Sequence, residues 1–443
     1  MKDRPIEEQR DLRAARDRDT DPVTRLVPDL DGNGWRLMAA KVFRGFAFGL
    51  NAVVLGLYLA ALELPGEVIG LVLSAALAGT LGLTLVIAIW GDRIGRRRLL
   101  VIGSALMLLS AVIPLVGANP LLLGLIGLSG MVAVNSSEST GLQSVDQAAL
   151  PQTVPVGQTT SAFALYNLVA AAASAVGALS VGPMVAIGQG LGLEGASAFA
   201  PAFLAYAAAG VVSTILTLGL DRRVEVGAKP GPGFAIQRSR GIVALLAGLF
   251  SLDALAGGFV VQSYLAFWFA ERFSAEAGSV GLLFAAGNVL AALSFPVAAW
   301  LASRIGLIRT MVFSHIPANL FLVGAAFAPT LPLAIALILA RAALSSMDVP
   351  ARQAYTMAVV DPEERTATAG ITSLTRSVGH MLGPGLAGAL LVPLGIGAPL
   401  VAGGVLKMVY DVSLYVLFRS RPTPEEVATR EASPSGSGSS GPP

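Results

Sequence analysis

Trp90-Gly91-Asp92-Arg93-Ile94-Gly95-Arg96-Arg97-Arg98 is a short polar break between two long apolar runs. A degenerate copy stands 211 residues further on as Ala302-Ser303-Arg304-Ile305-Gly306-Leu307-Ile308-Arg309. The same register holds upstream without a gap, with Gly70-Leu71 facing Gly281-Leu282 and Ala75 facing Ala286. Downstream, Gln147-Ala148 matches Gln353-Ala354 at a shift of 206, so the chain reads as two copies of one unit. Gly95 permits a tight reversal, because glycine adopts positive φ without a Cβ clash. The arginines that follow hold that end of the break in a charged interface.

Outward from the break, apolar runs bounded by charge, Pro or Gly predict helices at about 38–61, 68–90, 97–117, 121–142, 160–187, 197–219, 241–270, 278–301, 308–328, 331–350, 364–392 and 397–418. Continuous runs of this length exclude β-barrel strands, which are about ten residues of alternating polarity. Composition agrees: of 443 residues 54% are hydrophobic and 13% charged, with a mean hydropathy of +0.71, where a soluble domain carries about 25% charge. The expected fold is an all-α membrane protein of twelve transmembrane helices in two pseudo-symmetric six-helix bundles. Residues 1–36 read as a polar tail, 37–220 and 241–419 as the two bundles, 221–240 as a linker and 420–443 as a disordered, Ser/Gly/Pro-rich tail.

The same inventory excludes several chemistries. There are no cysteines and only His315 and His380, so thiolate chemistry, disulfides and a His-rich metal centre are not expected. None of the four lysines lies in a phosphate-binding P-loop, and a net charge of +2 gives no nucleic-acid signal. No catalytic constellation and no cofactor site stands out. An even number of spans puts both tails on one side. Of the 30 Lys and Arg only Arg272 falls in a loop on the other side, so the tails are expected in the cytoplasm. Segment 1–36 interleaves nine acidic with eight basic residues and has no apolar core of a signal peptide.

The break resembles the loop between helices 2 and 3 of the major facilitator superfamily, G-x-x-x-D-R-x-G-R-R, with Ala88 at the first Gly and Ser303 in place of the acid in the second copy. The resemblance covers about residues 37–419 and implies transport by alternating access around a site lined by helices 1, 4, 7 and 10. It also implies a latch on the cytoplasmic side formed by Asp92, Arg93, Gly95, Arg96 and Arg97, with Arg304 and Gly306 in the second copy. Asp92 is expected to meet a helix N-terminus from the other half, and Asp361-Pro362-Glu363-Glu364 reads as such a terminus. Helix 11 carries Gly379, Gly383, Pro384 and Gly388, similar to a Gly/Pro pattern that antiporters of the family place in helix 5. Gly383, Gly385 and Gly388 also fit a dinucleotide-loop spacing, but no strand precedes them, so close helix packing is the reading.

Ionisable side chains at bilayer depth must pair, line water or face protein. They occur as Arg44 in helix 1, Glu138 in helix 4, Asp253 in helix 7, and Arg341 and Asp348 in helix 10. With Asn51, Asn135 and Gln262 they form the expected cavity. Two readings are open for Arg44, a cavity residue or a side chain snorkelling to the inner surface, and two for Asp253, a proton carrier or a salt bridge to Arg44. Glu138 is the first-half candidate for carrying a proton, since no basic residue occurs from 99 to 221. Lys407 and Asp411 are expected to neutralise each other, the histidines to be packing groups, and Arg376 to serve the interface between halves. The expected activity is proton-coupled efflux of a small organic solute by a monomer in a bacterial inner membrane. Symport or uniport uptake, and a non-transporting receptor or scaffold, are the alternatives.

Overall fold

The computed structural model describes residues 28–136, 141–155, 158–221, 225, 238–361 and 364–419. Before the linker the helices are α1 (Gly32–Ala61), α2 (Gly66–Ile94), α3 (Arg96–Leu106), α4 (Ile113–Val116), α5 (Pro120–Gly127), α6 (Gly141–Ala149), α7 (Thr159–Leu179), α8 (Val181–Gly190) and α9 (Ala200–Leu218). After it come α10 (Arg240–Gly258), α11 (Gln262–Phe273), α12 (Ala277–Ile305), α13 (Leu307–Ala326), α14 (Leu331–Ser345), α15 (Asp348–Ala358), α16 (Arg365–Leu394) and α17 (Ala398–Phe418). No strand occurs among the described residues.

Among the described residues, ten segments are long and apolar enough to cross a membrane. The predicted third and fourth runs are the two without a counterpart among these ten. In the third, α3 passes through a 3-10 turn at Met107–Val112 into the four residues of α4; Pro114 lacks the N–H that an unbroken helix would use there. In the fourth, α5 stops at Gly127, Gly130 takes φ +76°, and the chain runs non-helically to Ser136. Residues 137–140, Glu138 among them, lie outside the described residues. Helix α1 starts earlier than predicted because the Asp31 carboxylate accepts the Gly34 N–H at 2.8 Å and caps it.

The duplicated polar break has the same geometry in both copies. Gly95 (φ +93°) and Gly306 (φ +88°) each end one long helix and begin the next, a conformation that a side chain resists. Around the outside, Leu121 and Phe327 are 71% and 72% exposed in company with many Leu, Val and Ile. Such an apolar exterior suits hydrocarbon rather than water.

Helix α1 lies at the centre of the first half, packed by α7 and α9, as α10 is by α16 and α17 in the second. Between the halves α2 packs on α16, α1 on α11, and α7 and α8 on α12. The close approaches in these pairs lie toward the side opposite the linker. A Cβ on Gly70 would sit 2.9 Å from the Cα of Gly388, and one on Gly182 would sit 2.8 Å from the Cα of Gly278. Small residues let the backbones meet there, the usual solution where lipid gives no hydrophobic drive to association.

Candidate functional site

The centre of the molecule is a meeting of two interrupted helices from opposite halves. After Gly257-Gly258 the chain of α10 tightens through Phe259 and Val260, and Val261 extends (ψ 153°) before α11 begins. Sequence reading joined these into one helix, although the glycine pair was a visible signal. Backbone left unpaired at membrane depth must be satisfied by protein, and here the non-helical stretch before Ser136 supplies the partners. The Ser263 N–H donates to the Val134 carbonyl (3.0 Å) and the Gln262 N–H to Asn135 Oδ1 (3.0 Å). In return the Ser136 N–H donates to Gln262 Oε1 (3.1 Å), which also accepts from the Ser136 hydroxyl. Asn51 donates from α1 to the Ala133 carbonyl at 2.9 Å, and Ser263 Oγ donates to the Ala52 carbonyl at 2.8 Å. Asn135 also reaches the second half through His380 Nε2, 3.4 Å away.

Beside this junction lies a cavity of about 240 Å³ lined by Asn135, Gln262, Asn288, Arg341 and Ser345, with apolar walls that include Phe284 and Ile338. Three of the sequence-predicted residues, Asn135, Gln262 and Arg341, therefore come together. Asn51 supports the junction from behind and is 1% exposed. Gln262 Nε2 and Arg341 Nε are buried with no hydrogen-bond partner, and none of the ion pairs among the described residues includes Arg341.

Arg44, Asp253 and Asp348 do not line this cavity, and Glu138 lies outside the described residues. Arg44 is completely buried against Asp146, which also accepts from the Tyr166 hydroxyl at 2.8 Å. Arg44 thus neither snorkels nor bridges the halves; its partner went unnoticed because Asp146 lies beyond the predicted end of helix 4. Asp253 is instead surrounded by cations of its own half, Lys407 Nζ at 2.6 Å, Arg376 Nη1 at 3.0 Å and Arg352 Nη1 at 3.2 Å. Asp348 takes Arg352 at 2.7 Å, one helical turn away. His315 is not a mere packing group, since Nδ1 lies 3.1 Å from Asp411 and Nε2 3.4 Å from Asp348, with Asn319 donating to Asp411 at 3.1 Å. Lys407 and Asp411 therefore have separate partners, although both lie on α17. With the 206-residue shift, Asp146 corresponds to Arg352. Each half thus pins its central helix (α1 or α10) to the segment carrying that pair, with the signs exchanged.

The loop residues expected to latch the halves are engaged near home. Arg96 Nη1 donates to the Ala148 carbonyl (3.1 Å) and Arg97 Nη2 to the Leu218 carbonyl (2.6 Å). Glu225 accepts the N–H groups of Arg96 (2.8 Å) and Arg97 (3.0 Å), capping α3. Arg93 is exposed, the side chain of Asp92 lies outside the described residues, and Arg304 sits over the ring of Trp300 at 5.4 Å. The expected helix start at Asp361–Glu364 also differs. Its Pro362 and Glu363 lie outside the described residues, and Glu364 accepts the N–H groups of Arg238 (2.8 Å) and Ser239 (2.9 Å) at the start of α10. In helix 11, Gly379 and Gly383 abut Ser251 and Gly258 of α10, while Pro384 and Gly388 meet Gly70 of α2.

Comparison with known proteins agrees with this architecture. Residues 246–440 match the model of the family described as the Major Facilitator Superfamily. Over 418 residues the chain is 25% identical to "Uncharacterized membrane protein YJR124C" of Saccharomyces cerevisiae (strain ATCC 204508 / S288c), covering 86% of this chain and 93% of that protein. Among solved structures it resembles the nucleoside transporter NupG, with a TM-score of 0.67 at 13% identity over 87% of this chain and 99% of that one. It also resembles a D-xylose-proton symporter, with a TM-score of 0.64 at 13% identity over 86% and 97%. The chain is a membrane protein with the fold of these transporters, and the named fold relatives are transporters rather than enzymes.

Proposed function

We propose that this chain is a secondary transporter of the major facilitator type, moving a small organic solute by alternating access around the cavity beside Asn135, Gln262 and Arg341. The observation that carries the reading is the junction itself. Two interrupted helices from opposite halves meet at a small polar cavity, the construction in which transporter sites recur. Close packing between the halves on the side away from the linker supports a state whose closed end is the far one. Placing the linker side in the cytoplasm, as the Lys/Arg distribution favours, makes this an inward-facing state. The halves are then 37–220 and 241–419, and both tails are cytoplasmic in a bacterial inner membrane. In the opposite state Asp92, Arg93, Arg96, Arg97 and Arg304 would come together across the linker side.

Proton-coupled efflux by a monomer is the activity proposed. His315, held between Asp348 and Asp411, has the parts of a proton site, an imidazole whose charge state alters its bond to either carboxylate. Glu138 remains the first-half candidate. The test is a proteoliposome assay that follows internal pH and solute together, with His315→Gln and Glu138→Gln beside the parent. Solute-dependent proton movement in the parent, lost in one variant while solute exchange without a gradient survives, is the expected result. Solute movement with no pH change in the parent would end the coupling proposal, and absence of any solute movement would favour the receptor alternative. Preloaded vesicles of known orientation then decide between efflux and uptake.

A further inference from the structure

The cavity's polar equipment is one-sided. Gln262 cannot turn its amide round, because its Oε1 accepts both the backbone N–H and the hydroxyl of Ser136, which fixes Nε2 as the end left over. That Nε2 and the Nε of Arg341 are both buried donors without acceptors. Buried donors in native structures are nearly always paired, so each such exception calls for an explanation. Among the described residues the lining contains no carboxylate. The described buried acids of the second half are engaged elsewhere, Asp253 by three cations, Asp348 by Arg352 and His315, and Asp411 by His315 and Asn319. An uncompensated guanidinium at membrane depth is costly unless something brings the opposite charge.

Resting on the transporter reading above, we propose that the solute carries a single carboxylate or a comparable monoanionic group, bound by the Arg341 guanidinium with a second hydrogen bond from Gln262 Nε2. Its remainder is compact and mainly apolar. Phe284, Leu283, Ile338 and Leu339 form that part of the wall, and a cavity of about 240 Å³ is smaller than the roughly 300 Å³ at which drug-sized sites begin. A cationic solute meets repulsion from Arg341, and a neutral one leaves the guanidinium unbalanced. The planar fork of an arginine suits a carboxylate in a way a lysine cannot copy.

The test uses the purified full-length protein in detergent. Binding is read as a saturable rise in thermal midpoint with monocarboxylates of roughly three to eight carbons, a size that suits a cavity below the drug-sized range. Each acid is run beside its methyl ester and primary amide. The acids are expected to stabilise and the neutral partners not to. Arg341→Gln is expected to weaken binding about tenfold to a hundredfold, the usual worth of a charge-assisted hydrogen bond, with Arg341→Lys between. Gln262→Glu keeps the acceptor for Ser136 but replaces the free donor by an anionic oxygen, and should abolish binding of the acids in a folded protein. Equal binding of esters or amides, preference for amines, no stabilisation by any acid, or parent-like binding in Arg341→Gln and Gln262→Glu would each overturn the assignment. Failure of the transport reading looks different. Spin labels on the two halves would report one unchanging distance at each end of the molecule, whatever solute is present.

Discussion

Gly70→Ala is the sharpest probe of the closed end. The added methyl falls against the Pro384 carbonyl oxygen and 2.9 Å from the Gly388 Cα, all backbone atoms of α16 that no rotamer change can move. Restoring ordinary contact distances requires α2 and α16 to part by roughly 0.5–1 Å. Overpacking of this kind costs about 1–3 kcal/mol. Because α2 and α16 belong to different halves, that cost falls on the state in which the far ends are closed. The equilibrium should shift toward the alternative state by about 5- to 150-fold. The natural chain has no cysteine, so cysteines for spin labels can be added without removing any. One pair at Glu63 and Val392 reads the far end, and another at Arg98 and Arg309 reads the linker end. Gly70→Ala should lengthen the first distance and shorten the second. Gly82→Ala, on the same helix with nothing within 4 Å of its Cβ, carries the same helix-propensity gain and should leave both distances as in the parent. Folded Gly70→Ala protein with parental distributions at both pairs would refute the view that this crossing is a moving contact.

Two further perturbations test the charges. Asp253→Asn leaves Lys407, Arg376 and Arg352 without their shared carboxylate and should destabilise by about 3–5 kcal/mol, the cost of removing one partner from a buried ion pair. Adding Lys407→Met should recover part of the lost thermal midpoint, and a single variant melting with the parent would mean the cluster is hydrated and weak. Arg44→Asp or Asp146→Arg alone buries two like charges and should sharply reduce the yield of folded protein. The double exchange reproduces the sign order of Asp253 and Arg352 and should restore folding in a detergent size-exclusion assay; a double variant no better than either single one would refute direct pairing.

Most of the fold was legible in the sequence because lipid imposes a coarse rule, long apolar runs with charge at their ends, and because the duplication supplies an internal check. Gly95 and Gly306 show it: their shared positive φ is what the shift of 211 requires. What the hydropathy pattern missed is where helices stop inside the apolar layer. Pro114 and the Gly257-Gly258 pair interrupt runs whose side chains remain apolar, so a hydropathy profile does not register the breaks. The polar stretch at Asn135 and Ser136 was readable as a loosened helix, but its partner, the broken end at Gln262, was not. Among the charges, the sequence named Arg44, Asp253 and Asp348 on helices 1, 7 and 10 but not the partners each one takes. Arg44 and Asp253 are 209 positions apart, and nothing local says that each pairs within its own half. His315 is lone in sequence and placed only by folding between Asp348 and Asp411.

The distribution of interaction strengths bears on how such a molecule would move. The described ion pairs among the spans, Arg44 with Asp146 and the Asp253, Asp348 and His315 network, join helices of the same half. Buried charges separate only at a cost of several kcal/mol, so each half is fastened as a body. Between halves the contacts are of another kind: glycine crossings, a hydrogen bond from the Gly385 N–H to Ser74 Oγ (2.8 Å), and Asn288 with Ser174 at 3.5 Å. Each of these is worth about 1 kcal/mol or less against competing partners. A rigid-body cycle needs this division, strong bonds inside the moving parts and weak ones where they part. The exception is the junction of Asn135 and Ser136 with Gln262 and Ser263, where several hydrogen bonds cross the interface beside the cavity. If the halves rock, these bonds lie near the axis, where displacement is smallest. A solute that recruits Gln262 and Arg341 would then act at the point with most leverage over the balance between states.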